Sequence, residues 1–144
     1  MPHARSFAQW ASAAFAAQRR PMGDAEIAIR VVGAGESRRL NRIWRAKDRP
    51  TNVLSFPAGP SPRGCGPAAK GGPVALGDLA ICAPVVTREA HEQGKSLRSH
   101  WAHMVMHGVL HLLGYDHEND RDAAAMEAVE TNLMRQFGYS DPYA

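Results

Sequence analysis

The hydrophobic positions change their period several times along the chain, and each change predicts an element. Phe7, Trp10, Ala14 and Phe15 recur at helical spacing and predict a first helix. Ile27–Val32 is a β-branched run closed by Gly33, which reads as a strand. From Glu36 to about Lys47 the helical period returns, with Leu40, Ile43 and Trp44 on one face and Arg38, Arg42 and Arg45 on the opposite one. Thr51–Phe56, bounded by Pro50 and Pro57, predicts a second strand, and Ala75–Cys82 a third. Pro84 opens a helix that runs to about Gln93 and stops at Gly94. Ser96 or Ser99 caps the next helix. Asn119 caps a last one, with Met126, Val129, Leu133 and Phe137 on one face and Gly138 as its end.

The helix that follows residue 96 differs from the others. Leu97, Trp101, Met104, Val105, Met106, Val109, Leu110, Leu112 and Leu113 leave it almost no polar side, so it reads as a buried central helix. The exception is a stripe of His100, His103, His107 and His111. A lone buried histidine is ordinarily satisfied by a backbone carbonyl. Several on one stripe each need a partner or incur a desolvation cost on the order of 1–3 kcal/mol, and a shared metal ion satisfies several at once. His107 and His111 stand four apart and share a face. Gly114 can end the helix in a left-handed turn, letting the chain bring His117 back to the same point. Three neutral nitrogens with a fourth position open is the layout of a catalytic zinc site, so His107, His111 and His117 are the expected metal ligands. His103, one turn up the stripe, is a second-layer or substrate-facing group.

Composition narrows the frame. At 144 residues, 44% hydrophobic and 22% charged, the chain suits one domain with its own core over 1–144. Residues 58–73 carry five glycines and four prolines and read as a surface loop interrupting that domain. The elements predict an α+β fold: a small mixed β-sheet packed with helices, and the histidine helix buried at its centre. Cys65 and Cys82 form no disulfide framework, and a cytoplasmic setting is expected. Cys82 reads as core and Cys65 as exposed loop. No apolar run approaches the roughly 20 residues that span a bilayer. The first 23 residues lack acids and contain Arg5, Arg19 and Arg20, a transit-peptide composition, but their apolar spacing fits an ordinary first helix.

The spacing of His107, His111, Gly114 and His117 resembles that of the metzincin zinc proteases, HExxHxxGxxH. Gly108 stands where that family has its glutamate base, which counts against a peptidase. The stretch HGxLHLxGYDH instead resembles the YbeY family of bacterial metal-dependent endoribonucleases. Asn41–Arg45 with Thr51–Pro57 is similar to that family's LNxxxR…TNVLSFP block. Leu76-Gly77-Asp78-Leu79 is similar to its LGD strand, and Phe137-Gly138-Tyr139 to its closing LGY. The resemblance covers roughly residues 25–143. It implies single-strand-specific cleavage of RNA in ribosomal RNA maturation, including the 16S 3′ end, and in ribosome quality control. The implied partners are rRNA, the small ribosomal subunit and its assembly factors, with no membrane and no small-molecule cofactor. It also singles out Arg45 as the catalytic arginine.

The chemistry agrees. Zinc held by neutral imidazoles keeps its charge, makes a hydroxide nucleophile available near neutral pH and polarises a phosphoryl oxygen. Six of the 17 basic residues lie between 38 and 49. Guanidinium grips phosphate bidentately, so Arg38 and Arg42 are candidate RNA-binding residues alongside Arg45, although a solvated basic face would look the same. Asp116 is a candidate to orient a ligand histidine. No general base is evident; the alternative nucleophile is the RNA 2′-hydroxyl, activated by the metal or by His103. Two other readings remain open: a zinc hydrolase of another substrate such as a peptide, and a ribosome-assembly module whose zinc is structural.

Overall fold

The computed structural model describes residues 1–17, 25–58, 74–115 and 120–143. In chain order the elements are α1 (Ala4–Ala16), β1 (Ala25–Val32), α2 (Ala34–Arg45), β2 (Val53–Pro57), β3 (Val74–Cys82), α3 (Ala83–Glu92), α4 (Leu97–Leu112) and α5 (Asp120–Gln136). The sheet order is β1-β3-β2, with β3 parallel to β1 and antiparallel to β2. This is the small mixed sheet that the sequence predicts. Residues 59–73 of the expected loop, with Cys65, lie outside the described residues, as do Arg19, Arg20 and Asn119.

Alternation along β3 divides the core. Leu79 and Ile81 face α4 in a cluster that also takes Trp10 and Ala14 of α1, Val86 of α3 and Met126, Leu133 and Met134 of α5. Ala80 and Cys82 face the other way and pack with Val32, Leu54, Val85, Leu40 and Phe56. The α4 helix is therefore enclosed on nearly every side, as its all-round apolar sequence requires. Phe7 and Trp10 meet Trp101 and Arg98 through ring contacts and a cation–π contact, so α1 is an integral part of the core.

The caps follow the sequence closely. Ser96 rather than Ser99 is the N-cap of α4: its Oγ accepts from the Ser99 backbone N–H at 3.1 Å. At the other end, Gly114 N–H donates to His111 O and Tyr115 N–H to Leu110 O, both at 3.0 Å. With Gly114 at φ 99°, this is a Schellman closure, and it fixes where the chain leaves the histidine helix.

One face is not where the periodicity puts it. Of the apolar trio on α2, only Leu40 packs inward, while Ile43 is 56% and Trp44 67% exposed. The buried residues are instead Ser37 and Asn41. Ser37 Oγ exchanges hydrogen bonds with Thr51, donating to its carbonyl at 3.0 Å and accepting from its N–H at 2.9 Å. Asn41 Nδ2 donates to Arg49 O at 2.8 Å. The helix is rolled so that it anchors the segment leading into β2, and its indole is left outside.

Where β2 and β3 meet α4, Gly77 and Gly108 permit the approach. The register of β1 on β3 shifts between Glu26 and Ile27, and beside that shift Gly77 sits at φ 140°. A Cβ there would lie 2.2 Å from Phe56 O and 2.9 Å from Leu112 Cδ2. Gly77→Ala should therefore cost on the order of 2–4 kcal/mol, combining backbone strain with a backbone clash. Urea denaturation of the two proteins measures this, and a change below about 0.5 kcal/mol, the range of ordinary surface substitutions, would contradict it.

Candidate active site

The four histidines of α4 form a graded stripe. His100 Nε2 lies 3.0 Å from Glu89 Oε1, and Asn52 Nδ2 donates to the same carboxylate at 3.1 Å. Burial pushes the His100 imidazole pKa down, against the raising effect of Glu89, so His100 is neutral at pH 7 and donates Nε2–H. One turn on, His103 Nε2 donates to Glu130 Oε2. His107 Nδ1 reaches the same oxygen at 3.2 Å, and Tyr143 donates its hydroxyl hydrogen to it at 2.8 Å. Finally, His111 Nε2 lies 3.1 Å from His107 Nε2.

Glu130 is the centre of this arrangement. It is 1% exposed, and a carboxylate so placed is tolerable only when paired. Burial pushes its pKa up, but the hydrogen bonds that His103 and His107 donate outweigh that and hold it at about 2. An ionised Oε2 only accepts, so His107 must present Nδ1–H to it. That choice of tautomer leaves Nε2 of His107 unprotonated, beside Nε2 of His111.

Two constellations of this site fit a metal ion. In one, the facing Nε2 atoms of His107 and His111 share it, with Glu130 behind His107 in the carboxylate–histidine–metal arrangement. In the other, His103, His107 and Glu130 offer ligand atoms within 4.8 Å of one another. The first uses the nitrogen that the bond to Glu130 leaves unprotonated, whereas the second must break the hydrogen bonds that stabilise the buried carboxylate. The expected third ligand, His117, and Asp116 lie outside the described residues.

The remaining expected residues divide. His103, a candidate substrate-facing group, is buried and committed to Glu130, yet it lines a cavity of about 380 Å³ with His107, Asn52, Glu89, Lys95 and Tyr143. Arg38 is exposed, and its Nε and Nη2 donate to Asp48 at 2.8 and 3.0 Å. That fork holds the Asp48 carboxyl below its ordinary range, helped by the charge of Arg42. Arg45 is exposed in the last turn of α2. Leu40 of α2 packs in the cluster of Ala80 and Cys82, and among the described residues no hydrogen bond or ion pair joins Arg45 to the histidines.

With this geometry in view, comparison with known proteins is decisive. The family described as Endoribonuclease YbeY matches residues 2–138. The chain belongs to the Endoribonuclease YbeY family. It is 54% identical over 144 residues to the Endoribonuclease YbeY of Stenotrophomonas maltophilia R551-3, covering 100% of this chain and 86% of the relative. Against that of Alkalilimnicola ehrlichii it is 52% identical over 143 residues, 99% of this chain and 82% of the relative. The solution structure of a Thermotoga maritima protein shares the fold, with a TM-score of 0.60 at 24% identity over 100% of this chain and 95% of that one. Among the described residues, no helix is long and apolar enough to cross a membrane.

In this YbeY-family chain the sequence reading overlooked Glu130 and Tyr143. A signal for Glu130 was present: it lies between Met126 and Leu133 inside the buried stripe of α5, a lone acid where the period calls for an apolar residue. Tyr143 carried none, because it is brought in by the fold-back of residues 139–143. The linkage follows from the depressed carboxyl. Its stabilisation is complete above the ordinary value of 4.5 and is lost as pH falls toward about 2. With chelator present, wild type should exceed Glu130→Gln in stability by on the order of 2–4 kcal/mol at pH 7, and the gap should close in acid. A gap independent of pH, read from denaturation midpoints, would contradict an ionised Glu130.

Proposed function

We propose that the chain is a divalent-metal-dependent endoribonuclease that cleaves single-stranded RNA during ribosomal RNA maturation in the cytoplasm, acting with the small ribosomal subunit. The observation that carries this is the pair of facing Nε2 atoms 3.1 Å apart, backed by a buried glutamate, in a chain of a family named for endoribonucleases. Zinc is the proposed ion, since imidazole nitrogens suit it, and His107, His111 and His117 are the proposed ligands. When bound there, a divalent ion would supply a Lewis acid and lower the pKa of water toward neutrality.

The protein residues divide the remaining work. Glu130 holds the His107 ring in one tautomer and one orientation. His103, fixed on the same carboxylate, shapes the cavity wall beside His107. Arg45 is proposed to grip the scissile phosphate and stabilise the negative charge that builds on it. A peptidase reading is disfavoured because residue 108 does not face the cavity. A Cβ on Gly108 would meet Leu79 Cδ2 at 2.8 Å and Val53 Cγ2 at 3.3 Å, so a glutamate base there would be driven into the core. A structural zinc would require a fourth protein ligand.

Single-stranded RNA should be cleaved by the purified protein, spared when a chelator is present, and cleaved again on adding back zinc. His111→Ala should lose the metal and the activity together. Undiminished cleavage in chelator would refute the metal-dependent reading. A second experiment separates the arginines. Arg45→Ala should abolish cleavage while metal content and fold persist. Arg38→Ala should weaken RNA binding only modestly, reducing the salt slope by no more than about one, because its fork is already occupied by Asp48. Equal small effects from both would favour a solvated basic face.

A further inference from the structure

The α2 helix exposes what its period says it should bury. Trp44 is 67% exposed and Ile43 56%, while the other two tryptophans, Trp10 and Trp101, are 0% and 1% exposed. The indole is nevertheless held in place: its ring meets Phe56 edge-to-face at 5.9 Å, and Phe56 is packed against the core beneath the sheet. A large apolar ring fixed in position and turned to solvent calls for a partner with an apolar face.

The surrounding charge says which partner. Asp48 is the one carboxylate among residues 38–49, against six basic residues. Arg38 is neutralised by Asp48, and Arg39 lies 3.9 Å from Glu36. Arg45, Lys47 and Arg49 take part in none of the ion pairs found among the described residues, and they are exposed on the last turn of α2 and the turn that follows, close to Trp44 in sequence. An aromatic plane flanked by unpaired cations suits an alternation of flat bases and anionic phosphates, and disfavours an apolar or basic protein surface.

We infer that Trp44 is a stacking platform for a base of single-stranded RNA, with Arg45, Lys47 and Arg49 receiving the adjoining phosphates. This rests on RNA being the substrate, as proposed above, and adds the residue that would favour an unpaired strand. In a duplex the base faces are already stacked and unavailable to the indole.

The test uses the intrinsic fluorescence of the whole protein, to which Trp44 contributes the only solvent-accessible tryptophan. Titration with a short single-stranded RNA should quench it, and the same RNA annealed to its complement should not. Trp44→Leu should abolish the quenching and raise the dissociation constant about tenfold or more, while Trp44→Tyr should stay within about threefold of wild type. Thermal melting of both variants should match wild type, since the ring lies outside the core. Wild-type affinity in Trp44→Leu, or equal losses in Trp44→Leu and Trp44→Tyr, would overturn the inference. So would unchanged RNA binding by Trp44→Leu with loss of a protein partner, which would make this a protein-docking face. Failure of chelator-sensitive cleavage with Trp44-dependent binding intact would instead count against the nuclease reading and leave this one standing. Absence of any RNA binding by the wild type would overturn both.

Discussion

Four imidazoles lie on one buried helix, and each needs a hydrogen-bond partner that water would otherwise supply. That constraint organises the centre of the molecule. Glu89 reaches α4 from α3 to meet His100 and takes Asn52 from the start of β2. Glu130 reaches it from α5 to meet His103 and His107, and takes Tyr143 from the fold-back after α5. A buried carboxylate, Glu130, and a half-buried one, Glu89, thus tie four segments to one helix. Each is stabilised by several donors, and removing a donor partner exposes the charge cost of the rest. His111, at the end of the stripe, turns its Nε2 to Nε2 of His107. The last two histidines bring two Nε2 atoms face to face, and that is where two imidazoles can share a metal ion.

The sheet serves this helix by coming unusually close. Gly108 presents no side chain to Leu79 and Val53, and Ser55 Oγ donates to the Gly108 carbonyl at 3.2 Å. The helix and β2 are locked in register at one residue past His107. The open position beside a glycine is thus filled by the sheet, which is why a pattern that resembles a protease helix carries no protease base.

Much of this was legible in the sequence. The strands, the helix stops at Gly94, Gly114 and Gly138 and the buried histidine helix depend on local period and turn chemistry, which a sequence displays directly. What failed depended on contacts distant in sequence. Ile43 and Trp44 looked like core because α2 is strongly two-faced. Its roll is set instead by Ser37 and Asn41 binding Thr51 and Arg49, which no periodicity reveals. Glu130 showed as an acid inside the buried stripe of α5, but its role did not, because its partners stand 23 and 27 residues away on another helix. His117 carries a readable spacing and lies outside the described residues, so its role rests on that spacing.

The central claim is that Glu130 orients His107 so that its Nε2, with that of His111, receives the metal. Anomalous diffraction from zinc-loaded crystals tests it most directly. The account predicts one peak at about 2.0–2.1 Å from Nε2 of both His107 and His111, with Glu130 still hydrogen-bonded to His107 Nδ1 and not in contact with the ion. A peak enclosed by His103, His107 Nδ1 and Glu130 would contradict it.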